Sequence, residues 1–129
     1  MALMAAGVAW LIASDTVSQS AAPEIIVVHL SNFAFTPDHL LLHSGTAVTL
    51  RIVNDSSGSH NFSAPALFAA SAFPGGSSPA NGKVELDSKQ SQDIVFVPRV
   101  PGTYKIECGH FLHSLFGMTG IIVVDGPAR

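Results

Sequence analysis

Charge is scarce in this 129-residue chain. Charged side chains make up 12% of it, about half the roughly 25% usual in globular proteins. Six Lys and Arg face nine Asp and Glu, a net charge of −3. That balance excludes a nucleic-acid binder, which neutralises phosphates with a basic patch. Cysteine occurs once, which excludes an intramolecular disulfide framework. A P-loop, a Gly-rich dinucleotide fingerprint, βαβ alternation, a DNA-reading helix and internal repeats are all absent from the sequence. What is present is 47% hydrophobic residues, enough Val, Ile, Leu and Phe to exclude a disordered chain, in a length that fits one domain.

The N-terminus reads apart from the rest. Met1–Ala13 is apolar and carries no charged side chain. It falls short of the about 20 apolar residues that cross a bilayer. The small, polar stretch SDTVSQSAA follows. An apolar core before a small-residue site is the pattern of a secretory signal peptide, although no Lys or Arg precedes it. Residues 1–22 are therefore expected to be a signal peptide or an uncleaved N-terminal anchor. Residues 23–129 are expected to be the folded domain, in a periplasmic or otherwise exported setting.

That domain reads as short strands. Glu24–Leu30 is rich in β-branched residues, which suit a pleated surface. Phe33–Phe35, His39–His43 and Thr46–Val53 follow, separated by Thr36-Pro37-Asp38 and Ser44-Gly45, which carry turn residues. In Thr46–Val53, Val48, Leu50 and Ile52 share one face, as a period of two requires. Asn54–Ser59 is a loop, Pro65–Phe73 is an Ala-rich segment expected to contain a short helix, and Pro74–Asn81 is a loop. Further strands are expected at Lys83–Leu86, Gln92–Val97, Gly102–Cys108 and Thr119–Val124. Tyr104, Ile106 and Cys108 alternate with Thr103, Lys105 and Glu107, so charge faces solvent and Cys108 points inward. Seven or eight such strands predict an all-β fold, a Greek-key β-sandwich.

Chemistry concentrates at the C-terminal end, in CGHFLHSLFGMTG. Cys108 ends a strand, His113 lies five positions on, and Met118 five beyond that. His60 lies just past the loop closing the Thr46–Val53 strand. Two imidazoles, a thiolate and a thioether are the donor set of a blue-copper site. A sandwich gathers loops from different strand pairs at one end, so one connection can supply three donors and a second loop the fourth. Gly109, Gly117 and Gly120 are expected to let that connection turn tightly.

Plainer readings stand beside this one. A lone cysteine is often a small buried hydrophobe, and Met118 fits a core gap equally well. Zinc accepts Cys108, His60, His110 and His113 but needs no Met118. A nucleophilic cysteine lacks a strand-to-helix elbow or helix N-terminus to lower its pKa. His110 is expected to face solvent or to support the ligands from behind without binding metal, and His29, His39 and His43 to be structural.

The sequence resembles the cupredoxins, the small type 1 blue-copper proteins. Their pattern is a His followed by Asn, then a Cys-loop-His-loop-Met run, here His60-Asn61, Cys108, His113 and Met118. The spacing around His113 is most similar to rusticyanin-like bacterial cupredoxin domains. Phe33–Asn54 and the ending GMTGIIVV also resemble the family. Two features depart from it: Phe111-Leu112 stand where many members have Pro-Gly, and His110 is an extra histidine in the loop. The resemblance implies one type 1 copper held by His60, Cys108, His113 and Met118. It also implies that Asn61 ties the two ligand loops together near Gly109 and donates its backbone N–H to the Cys108 sulfur.

The expected function is a periplasmic electron carrier cycling between Cu(II) and Cu(I), not an enzyme. A copper-binding or copper-delivery protein, and an accessory cupredoxin domain of a larger oxidase system, are the alternatives. The expected partner is a redox protein, a cytochrome or an oxidase or reductase, docking near His113. There Phe111, Leu112, Leu115 and Phe116 form an apolar stretch with no Lys or Arg, so docking would depend weakly on salt. No nucleic acid is expected as a partner, a membrane only through an uncleaved leader, and the chain is expected to be monomeric.

Overall fold

A computed structural model describes Gly7 and residues 23–109 and 118–127. The expected leader, apart from Gly7, lies outside the described residues. So do His110, Phe111, Leu112, His113, Leu115, Phe116 and Gly117. Among the described residues no helix is long and apolar enough to cross a membrane.

Period-two alternation builds two sheets. In β4 (Val48–Asn54), Val48, Leu50, Ile52 and Asn54 are buried while Arg51 is exposed. β1 (Glu24–Ser31) buries Val28 and Leu30, and β8 (Ser91–Pro98) buries Ile94 and Phe96. These three strands, with β2 (Ala34–Thr36) and β6 (Ser71–Ala72), form a sheet in the order β2-β1-β4-β8-β6. β1 runs parallel to β4 through seven register pairs, and β8 antiparallel to it through six. The second sheet has the order β3-β10-β9-β5-β7. It comprises β3 (His39–His43), β10 (Thr119–Asp125), β9 (Gly102–Glu107), β5 (His60–Ser63) and β7 (Lys83–Leu86).

The fold is the expected β-sandwich, with ten strands among the described residues rather than seven or eight. The additions are β5 and β6. β6 has two residues, too few for a period, and β5 buries three of its four in succession, so neither shows alternation. Of the Ala-rich stretch, only Pro65–Ala69 is helical. This is α1, with Pro65 in the first turn, where its missing N–H is needed least. The chain then turns extended, and Ser71 and Ala72 pair with Pro98 and Val97.

The two inner faces meet in one core. Phe62 and Phe96 are fully buried and Phe68 nearly so. Phe68 stands edge-on to Phe96 at 5.6 Å between ring centres, and Phe35 edge-on to Phe62 at 5.8 Å. Edge-to-face packing sets the positive rim of one ring on the negative face of the next. Burying each such side chain is worth about 1.5–3 kcal/mol by transfer alone.

Two glycines sit where the backbone leaves no choice. Gly82 has φ +68°, and a Cβ there would lie 2.4 Å from Pro65 Cα. Gly120 lies within β10 against the turn that carries Asp38, whose carbonyl would be 2.6 Å from an added Cβ. The expectation that Gly120 serves a loop turn is thereby corrected: its role is close strand packing. Gly109 has no such constraint, since a Cβ there would meet Asn61 at ordinary contact distance, 3.5 Å.

Candidate metal centre

His60 opens β5, at the end of the connection from β4. That connection is shaped by Asn54, the last residue of β4 and fully buried. Its side-chain N–H groups face the carbonyls of Gly58, Leu86 and Asp87 at 2.9–3.1 Å. Its Oδ1 accepts from the backbone and hydroxyl of Ser56. One amide thus replaces the main-chain partners that a five-residue turn cannot supply. It delivers His60 to the register position opposite Leu86. Period two puts Asn54 on the inward face of Val48, Leu50 and Ile52, but its polar side chain and the polar residues after it assigned it to the loop, and Asn54 escaped the sequence reading for that reason.

Cys108 follows directly on β9. Ile106 and Cys108 are fully buried, as alternation requires, while Tyr104 is only half-buried and donates its hydroxyl proton to the Val100 carbonyl at 2.7 Å. Cys108 Sγ lies 3.9 Å from His60 Nδ1, with His60 itself 3% exposed. Met118, also fully buried, stands beside Cys108, whose N–H donates to the Met118 carbonyl at 3.2 Å. Three of the four expected donor residues therefore lie at one end of the sandwich, His60 and Cys108 facing each other through their side chains and Met118 meeting Cys108 through its main chain. The fourth, His113, lies outside the described residues, as does His110. Among the described residues, no cluster of three or more His, Cys, Asp or Glu side chains forms.

Asn61 makes both contacts expected of it. Its backbone N–H donates to Cys108 Sγ at 3.4 Å, and its Oδ1 accepts the Gly109 N–H at 2.6 Å. A hydrogen bond to sulfur stabilises thiolate charge, and such contacts tune a bound metal. Glu85 was missed by the sequence reading. Its carboxylate accepts from Asn61 Nδ2 at 3.1 Å, a cross-strand contact that only the β5–β7 register reveals.

These donors fit a small metal ion. Metal bonds of about 2.1 Å to imidazole and 2.3 Å to thiolate together exceed the 3.9 Å between Nδ1 and Sγ, so one ion reaches both atoms. The surroundings are apolar: Cys108 and Met118 belong to the same buried cluster as Leu30, Phe62 and Ile106. Such a shell excludes water and favours soft sulfur donors.

Of the other described histidines, His29 and His39 are peripheral and His43 is half-buried at the end of β3. His29 Nδ1 lies 2.5 Å from Asp55 Oδ2, and His39 Nδ1 lies 3.0 Å from Asp38 Oδ1, both exposed. Lys89 reaches this end of the sandwich from the β7–β8 turn and donates to the Asp55 carbonyl. One cation is thus added to an end that the ligand-loop sequence leaves uncharged.

Known structures share this architecture. An auracyanin from Roseiflexus castenholzii, crystallised after dithionite reduction, is 22% identical with a TM-score of 0.63, covering 81% of this chain and 98% of that one. Auracyanin A from Chloroflexus aurantiacus, described as a "blue" copper protein, is 21% identical with a TM-score of 0.60, covering 81% and 100%. A multicopper oxidase from Campylobacter jejuni is 14% identical with a TM-score of 0.62, covering 83% of this chain but 31% of the oxidase. No curated protein sequence matches the chain. The family model described as a Cupredoxin-like domain matches residues 2–124, and with that match spanning nearly the whole sequence, the chain belongs to the cupredoxin-like family.

Proposed function

We propose that this cupredoxin holds one type 1 copper ion and works as an exported, periplasmic electron carrier rather than as an enzyme. The observation that carries the reading is the Cys108 thiol. It is fully buried, faces His60 Nδ1, receives the Asn61 N–H and lies beside Met118. His60, Cys108 and, from the sequence, His113 are the strong donors, and Met118 is the weak one. When bound, copper supplies a one-electron Cu(II)/Cu(I) couple that suits this mixed soft and borderline donor set.

The chain's own part is to hold the donors still. β5 carries His60 and β9 holds Cys108 just past its end, and the apolar shell keeps water from the thiolate. The Asn61 N–H stabilises negative charge on sulfur without adding a ligand. The redox partner, a cytochrome or an oxidase or reductase, docks near His113 in this reading. The apolar residues around that histidine in sequence support the docking site, and electron carriage is supported by similar proteins described as a dithionite-reduced auracyanin and a "blue" copper protein.

The experiment is loading of the full chain with Cu(II), followed by visible and paramagnetic-resonance spectra and voltammetry. An intense thiolate-to-copper band that Cys108→Ser abolishes, together with a reversible couple, is expected. Absence of the band, or its survival in C108S, overturns the reading. The likeness to one part of a multicopper oxidase favours a second role, as an accessory domain of a larger oxidase system. Co-purification with such an oxidase, and electron transfer to it, would reveal that role.

A further inference from the structure

The seam between β5 and β9 closes its metal end without a backbone ladder. The two strands share one register pair, Ser63 with Glu107, whereas β5 pairs with β7 all along His60–Ser63. Continued two residues, the antiparallel register puts Asn61 opposite Gly109. There the ladder is replaced: Asn61 N–H goes to Cys108 Sγ, and Gly109 N–H goes to the Asn61 side chain.

That side chain is a two-ended amide, with an acceptor oxygen and a donor nitrogen. Gly109 N–H can only donate, so it requires Oδ1. Nδ2 then needs an acceptor. Glu85, the direct cross-strand partner of Asn61 on β7, supplies one at 3.1 Å. An ionised carboxylate has no hydrogen to give. A flipped amide would therefore set donor against donor at Gly109 and acceptor against acceptor at Glu85. Asn61 is 3% exposed, so its own amide has little access to water, although Gly109 and Glu85 are exposed; the unpaired ends of the buried amide carry the cost.

We propose that Glu85 is a positioning residue of the metal centre: acting through Asn61, it locks the amide that pins Gly109, and with it the start of the ligand loop, against β5. Its consequence at the metal rests on the copper reading above. The lock itself is a property of the metal-free chain.

Amide hydrogen exchange in the metal-free full chain tests the lock directly. Glu85→Ala should speed exchange at Gly109 by about tenfold, the effect of losing one net hydrogen bond. Ile52 and Phe96, on the other sheet, should be unchanged. E85Q keeps an acceptor oxygen and should stay within about twofold of the parent. In an Asn61→Ala background, E85A should add nothing. After copper loading, E85A should release Cu(I) to a chelator about 10–100-fold faster, as loss of groups orienting a ligand does.

An unchanged Gly109 rate in E85A overturns the proposal. So does equal acceleration at Ile52 and Phe96, which reports general loosening, or a full further effect of E85A on top of N61A. If the parent chain binds no copper yet Gly109 responds to E85A, the copper reading fails and the lock stands. If copper binds and Gly109 does not respond, the lock fails alone.

Discussion

The β1–β4–β8 sheet and the β5–β9 seam solve the same problem, satisfying backbone polar groups, in opposite ways. The first does it with main chain: β4 shares seven register pairs with β1 and six with β8. The second has one backbone pair and finishes with side chains, those of Asn61 and Cys108. A full ladder uses every N–H on a carbonyl and leaves none for chemistry. The interrupted seam leaves the Asn61 N–H free to meet a sulfur. Stability and reactivity are thus assigned to different parts of one sandwich, and substitutions should separate them.

The sharpest separation is expected at Cys108. C108S should abolish the thiolate-to-copper band and weaken copper binding by more than the about 10–100-fold typical of outer partners. The metal-free protein should lose no more than about 1–2 kcal/mol, because a hydroxyl there meets the Asn61 N–H and His60. Urea unfolding beside copper titration checks both halves. If C108S instead unfolds the chain, the seam is as structural as the ladder and the comparison fails.

Phe96→Ala is the converse. Phe96 is fully buried between Phe68 and Phe73, and its truncation should cost about 3–5 kcal/mol. At low urea, where the variant is still folded, its copper spectrum should match the parent. A changed spectrum would mean that core packing reaches the donors.

Asn54→Ala tests the join between the two regions. It removes an amide that faces three carbonyls and accepts from Ser56, at an expected cost of about 1–3 kcal/mol in urea unfolding. Faster hydrogen exchange at His60 than at Ile52 should accompany it.

The smallest effect is expected on the outer face of the ladder sheet, where Arg51 and Asp93 form a two-pronged ion pair at 2.9 and 3.0 Å. Hydrogen bonding to the Arg51 guanidinium, then its charge, holds Asp93 below the usual carboxylate value of 3.8. A lowered value means the pair stabilises the fold above the unfolded-state pKa, and that its contribution is lost as pH falls through the lowered one. Asp93→Asn should therefore lie slightly below the parent in thermal midpoint near neutral pH and converge with it once pH falls below the lowered Asp93 value. Salt should shrink the difference, because both groups are exposed. A gap that persists in acid would assign the effect to packing instead.

Much of the ladder sheet was legible beforehand, because β1, β4 and β8 are long enough for inward and outward residues to alternate visibly. The same rule turned Cys108 inward beside Ile106. The seam was less legible. β5 has four residues, three of them buried in a row, so no period shows. Asn54 and Glu85 look like ordinary loop and surface residues until register brings their partners to them. Asn61 was anticipated only through the family pattern of a His followed by Asn, while its bond to Glu85 was not.

The sequence by itself determined which side chains of the long strands point inward and which donor types exist, because alternation and side-chain chemistry are local properties. It also excluded a disulfide within this chain, since cysteine occurs once. Only the tertiary structure decided that β5 lies between β7 and β9, that the β5–β9 pairing is confined to Ser63 and Glu107, and that His60, Cys108 and the Met118 main chain come together beyond it. Those are relations between residues up to 58 positions apart, from His60 to Met118. They follow from how two sheets share one core, which the local pattern of any one strand does not encode.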